Sequence, residues 1–204
     1  MLTRRTVLTV MGALGVIVAA PPIAFAQSAG AAPAFVKQTA DQLVEIVNGP
    51  GTPQEKRPRL LKVIDSAVDV EGIARFCLGA FWQRATPEQQ REYIELFHDV
   101  LLNNITGKLG DYRGVAFTMG RTTPRGETDA VNTLVTRPNA QPANVDWIVS
   151  NAASNPKVVD VVAEGTSLRL TQRSDYASYL HRNNNSVAAL IEAMRHQVAS
   201  FGSG

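Results

Sequence analysis

The chain has 204 residues, with 20 lysines and arginines against 18 aspartates and glutamates, three histidines and a single cysteine, Cys77. So even a balance excludes a general nucleic-acid binder, which carries a basic face, and a lone cysteine excludes both an intramolecular disulfide and a cysteine metal cluster. Past the N-terminus, no apolar run approaches the ~20 residues that a helix needs to cross a bilayer.

In chain order, the first feature is Met1-Leu2-Thr3-Arg4-Arg5 ahead of an apolar run from Val7 to Ala20. Ala24-Phe25-Ala26 then puts small residues where a signal peptidase reads them. Residues 1–26 are therefore expected to be a cleavable signal peptide, with a periplasmic destination. The Arg4-Arg5 pair resembles a twin-arginine export signal, with an ordinary Sec signal as the alternative. Cys77 lies too far along the chain to be a lipidated cysteine. Removing residues 1–26 takes away Arg4 and Arg5 and no carboxylate, so the mature chain carries equal numbers of each charge and the sequence pI of 8.8 largely reflects the signal.

Residues 27–33 are expected to be a flexible leader, and residues 34–204 one domain. Helical periodicity begins at Phe35 and Val36, continues through Leu43, Val44, Ile46 and Val47, and stops at Asn48-Gly49-Pro50-Gly51. A second helix is expected over residues 53–68, weakened by Pro58 in its first turns. Asp69 looks like the N-cap of a short helix ended by Gly79. Thr86-Pro87-Glu88-Gln89 combines an N-cap, a proline at the first helical position and a capping-box glutamine. Tyr93, Leu96, Phe97, Val100, Leu101 and Ile105 follow at helical spacing. Segments 115–119, 129–137, 144–151 and 157–163 then alternate and are rich in Val and Thr, separated by turn residues such as Pro124-Arg125-Gly126. A helix over 172–180 and another capped by Ser186 complete the chain. The order predicts an α+β fold: a four-stranded antiparallel sheet covered by N- and C-terminal helices and enclosing an apolar pocket.

Signals for chemistry are weak. Cys77 sits between Phe76 and Leu78, the setting of an inert buried thiol. Ser174, Asp175 and His181 lack a nucleophile elbow. His98, His181 and His196 lack the spacing of a zinc helix, and no glycine-rich phosphate loop is present. The expectation is no catalytic residue, no metal and no cofactor. What stands out is a surplus of bulky apolar faces on two successive helices and on the strands around Phe117 and Trp147. Their composition suits a filled core and a cavity wall equally well.

Leu78-Gly79-x-x-Trp82-x-x-Ala85-Thr86-Pro87-Glu88-Gln89, followed by Phe97, Leu109 and Tyr112, resembles the MlaC-type, or toluene-tolerance, proteins. Val159-Asp160-Val161-x-x-x-Gly165-x-Ser167-Leu168 and Gln172-Arg173-Ser174-Asp175-Tyr176 look like that family's C-terminal signature. Thr171 to Ser178, together with Val145-Asp146-Trp147, is most similar to the hopanoid-associated branch, HpnM. Two departures bear on pocket shape: Asn155-Pro156 stands where the family often has a Trp, and Ile105-Thr106 where it often has Thr-Tyr. The resemblance implies a periplasmic, monomeric, non-enzymatic shuttle carrying phospholipid or a hopanoid-type lipid. Its partners would be an inner-membrane lipid ABC transporter complex and an outer-membrane complex. A ligand-free adaptor acting through protein contacts is the alternative. Lipid-pocket candidates are Leu78, Phe81, Trp82, Phe97, Leu101, Ile105, Phe117, Trp147, Val161 and Tyr176. Arg75, Arg84 and Arg173 are candidates for a headgroup or partner contact.

Overall fold

The structure, a computed structural model, describes residues 28–150 and 155–201. The expected signal peptide, residues 1–26 with Arg4 and Arg5, lies outside the described residues. Helices α1 (Ser28–Asn48), α2 (Pro53–Ala67), α3 (Val70–Leu78) and α4 (Pro87–Gly107) come first. Short 3-10 segments follow α3 (Gly79–Arg84) and α4 (Leu109–Tyr112). Strands β1 (Ala116–Arg125), β2 (Thr128–Thr136), β3 (Ala143–Ser150), β4 (Val158–Ala163) and β5 (Thr166–Ser167) form the sheet, and α5 (Leu168–Arg182) and α6 (Val187–Phe201) close the chain.

The helix starts follow the sequence chemistry. The Thr86 hydroxyl accepts from the Gln89 amide and the Gln89 side chain accepts from the Thr86 amide, a capping box behind Pro87. Asp69 accepts from Gly72 and Ser186 from Ala189. A second box, Thr52 with Glu55, opens α2. One expectation is corrected at the N-terminus. From Ser28 onward, residues assigned to a flexible leader are the first turns of α1, because Ala32, at 4% exposure, packs against the sheet with Val36.

The sheet is antiparallel in the order β1-β2-β3-β4-β5, five strands rather than four. The extra pair arises where Glu164 and Gly165, with φ of 48° and 79°, turn the chain back. Thr166 and Ser167 then pair with Ala163 and Val162 before the Ser167 hydroxyl caps α5. Register puts Phe117 opposite Val135, Val131 opposite Trp147, and Trp147 opposite Val161, so these side chains share one face. Helix α1 lies across β1 and β2, while α3 and α5 run along β4 and α6 packs on α4. No helix among the described residues is long and apolar enough to cross a membrane.

Candidate functional site

The apolar candidates divide between two neighbourhoods. Leu78, Phe81, Trp82, Phe97 and Tyr176 gather in the helical half around Tyr93, a residue outside the candidate set. Tyr93 is fully buried and its hydroxyl donates to the Ala74 carbonyl at 2.9 Å. Its ring meets Trp82, Phe97 and Tyr176 at centroid distances of 6.5, 6.0 and 6.1 Å, in tilted to edge-on geometry. Leu78, Phe97 and Tyr176 are buried, so this cluster is a packed core; Phe81 and Trp82 stand at its rim.

Leu101, Ile105, Phe117, Trp147 and Val161 belong to the other half, where α1, α2 and the C-terminal part of α4 face the sheet. Two apolar clusters meet there. One joins α1, α2 and α4 to Val115 and Val135; the other joins α1 to Val131, Trp147, Val149 and Val158. Leu43, Val68, Phe117 and Val145 touch both clusters, yet all four remain partly exposed. Leu101, Ile105, Met119 and Val161 around them are likewise only partly buried. The Trp147 indole N–H donates to the Thr133 hydroxyl at 3.0 Å, and that hydroxyl donates to the Val145 carbonyl. With its polar atom satisfied, Trp147 packs against Phe117 at 6.1 Å as a purely apolar wall. Leu43 and Val68 escaped selection from sequence because nothing in helical periodicity distinguishes a side chain at a junction from one in a core, whereas Met119 was visible as the partner of Phe117 on its strand face. Val145 was visible as the partner of Trp147 on its strand face.

The arginines cluster elsewhere. Arg75 is ion-paired with Glu71 and lies over the Trp82 ring at 4.9 Å. Arg84 lies over Phe81 at 5.5 Å. Arg173 lies over Phe76 at 4.9 Å and donates to the Phe76 carbonyl. Arg169, not singled out from the sequence, covers the same Phe76 ring at 4.5 Å and approaches the buried Asp160 carboxylate at 3.4 Å. Gly79 makes this close approach workable: its φ is 59° and its ψ −133°, and a Cβ there would sit 3.1 Å from an Arg173 nitrogen.

Cys77 is 2% exposed, and its thiol lies 3.5 Å from the Arg169 carbonyl. Burial, seconded by the Asp160 charge, pushes the thiol up to about 12. It is protonated at neutral pH and unsuited to nucleophilic attack. Among the described residues, no group of three or more His, Cys, Asp or Glu side chains could hold a metal. An open groove between α5 and α6, about 480 Å³, reaches Tyr176 and Tyr179 but is also lined by Gln172, Asp175, Arg182 and Gln197, a poor match for an acyl chain.

Comparison with known proteins gives this architecture a family. The family description "MlaC protein" matches residues 37–196, nearly all of the described chain. The chain belongs to the MlaC family. The toluene tolerance protein ttg2D of Pseudomonas putida is 25% identical over 142 residues, an alignment spanning 69% of this chain and 66% of that protein. A solved structure, described as the phospholipid-binding protein from Ralstonia solanacearum in complex with a phospholipid, superposes with a TM-score of 0.71 at 22% identity. It covers 84% of this chain and 98% of that one, so the MlaC-family α+β fold is shared nearly end to end.

Proposed function

We propose that this MlaC-family chain is a periplasmic lipid shuttle, without catalytic activity, that holds acyl chains between the sheet and helices α1, α2 and α4. The observation that carries the reading is the set Leu43, Val68, Phe117 and Val145, each pressed on by two apolar clusters and still partly open. Water gains nothing from such a wall, whereas an acyl chain does: each buried CH₂ contributes ~0.8 kcal/mol. A free phospholipid cannot cross an aqueous compartment against that cost, so a carrier needs an accessible apolar cleft and no reactive group. The Ralstonia protein with the same fold is described with a phospholipid bound, which supports the same ligand class here. The partners in this reading are an inner-membrane transporter complex and an outer-membrane complex, with the chain acting as a monomer.

Uptake of a fluorescent phospholipid from vesicles tests the reading. Wild type should take up lipid at about one per chain. Val145→Phe, which adds bulk on the inner sheet face where Val145 opposes Thr133 and Ala163, should lose most uptake while remaining folded. Absence of uptake by wild type would contradict the shuttle and leave the ligand-free adaptor. The hopanoid-type ligand rests on the Val145-Asp146-Trp147 and Thr171-Gln172-Arg173 segments. Competition between phospholipid and hopanoid decides between the two ligands, and failure of hopanoid to displace phospholipid would remove the hopanoid.

A further inference from the structure

Strand β1 is the free edge of the sheet. It pairs with β2 on one side, and among the described residues no backbone group pairs with its other side. Which of its groups face outward follows from the alternation of an antiparallel ladder. On β3, the Asn144 carbonyl accepts from Glu164 and the Ser150 amide donates to Lys157, so alternate residues from Asn144 to Ser150 point their backbone groups to the β4 side. Ala143 and Val145 therefore point theirs at β2, where they meet Val135 and Thr133. Those two residues of β2 direct their groups at β3, which leaves their β1 partners, Phe117 and Met119, turned outward. The amides and carbonyls of Phe117 and Met119 thus line the open edge, while their side chains sit on the apolar inner face.

The far half of this edge is closed to pairing. Pro124, opposite Asp129, stands at an outward position by the same alternation and has no N–H to offer. A bulge at Gly120 and Arg121 breaks the register before it. Both are devices that keep an edge strand from pairing, and residues 116–119 have neither. Ala116 and Thr118 are small and exposed on the outer face. Phe117 and Met119 are only partly buried on the inner face, packed against the same cluster as Phe35 of α1, which is also partly open. A strand laid ~4.8 Å outside β1 would set the side chains opposite Phe117 and Met119 over this apolar margin and the alternate ones in water. From Arg113 to Gly126 the chain carries three arginines and no carboxylate. Two copies edge to edge would bring like charges together, whereas a segment bearing carboxylates answers them.

We propose that residues 116–119 of β1 are a docking edge for an extended segment of a partner protein, one with alternating apolar residues flanked by carboxylates, which adds a strand to the sheet. The outward groups of Phe117 and Met119 hold its backbone, and the inner-face margin selects its apolar side chains. Arg113 and Arg121, on either side of the stretch, select its acidic ends. The added strand lengthens the wall that Phe117 and Trp147 begin. The docking edge does not rest on the lipid reading, since it needs only the free strand and its charge.

NMR amide exchange on the full mature chain tests the proposal, with and without a short peptide of alternating valine and threonine bearing glutamate at each end. The Phe117 and Met119 amides are expected to exchange fast in the free chain and to become protected, saturably, as peptide is added. A lysine-ended peptide of the same pattern should bind about tenfold more weakly. Met119→Pro deletes an outward N–H and no bond to β2, and should weaken binding about fivefold. Arg113→Gln with Arg121→Gln keeps every ladder group and should weaken the glutamate-ended peptide about fivefold. If thermal melts show the proline variant to be unfolded, the arginine pair decides. Protected Phe117 and Met119 amides in the free monomer, no saturable binding, or equal binding by the folded variants overturns the proposal. Protection that appears only as the chain dimerises also overturns it, in favour of a second copy. Lipid content measured on the same samples separates this from the carrier reading: a chain that holds lipid but ignores the peptide refutes only the docking edge.

Discussion

Cys77, Tyr93 and Tyr176 are three weak acids in one packed core, and burial raises all three above their ordinary values. The thiol moves from 9.0 to about 12. Between those values the folded chain keeps a proton that the unfolded chain releases, so stability is fully present below pH 9 and falls as the pH rises toward 12. The denaturant midpoint of wild type should therefore be level from pH 7 to 8 and decline above 9. Cys77→Ala should cost about 1 kcal/mol at neutral pH. Its decline should begin only when the unfolded phenols ionise, above their ordinary 10.0. Identical pH profiles for the two chains would contradict this. The burial of Cys77 was legible from Phe76 and Leu78 on either side. Arg169 was not, because its importance comes from the Phe76 ring and Asp160, contributed by α3 and β4.

At the scale of elements, local chemistry marked helix starts better than it marked extents. Thr86, Asp69 and Ser186 cap as their sequence context implies, since a cap needs only residues three positions apart. Thr86→Ala should destabilise the protein by about 1 kcal/mol in urea titration, and an unchanged midpoint would show that the capping box does not stabilise α4. Gly79 is a sharper case. Its positive φ ends α3 and lets Arg173 approach, so Gly79→Ala should cost about 1–3 kcal/mol. A thermal melt that stays in place would contradict that strain. The early start of α1 escaped sequence reading because Ser-Ala-Gly-Ala-Ala-Pro has little periodicity, and its helicity is completed by packing of Ala32 on the sheet. Strand β5 escaped because two residues carry no alternation; only its pairing with β4 defines it.

At the scale of the molecule, the α+β class followed from the order of periodic segments, and the antiparallel sheet from short turns between strands. The division of the apolar residues did not follow. Phe97 and Phe117 are equally bulky and equally regular in their elements, yet Phe97 completes a closed helical core and Phe117 stands at an open junction between two clusters. Whether helices and sheet press together or stand apart is a tertiary distance, and composition on either side is the same in both cases. The carrier reading proposed above draws on those apolar faces, because holding an acyl chain requires accessible dry surface. Native mass spectrometry of the freshly purified mature chain tests this account most directly. A lipid adduct at one per chain, absent or strongly reduced in folded Val145→Phe, is the predicted result. A wild-type spectrum showing only bare protein, together with no gain of mass after incubation with phospholipid vesicles, would contradict it.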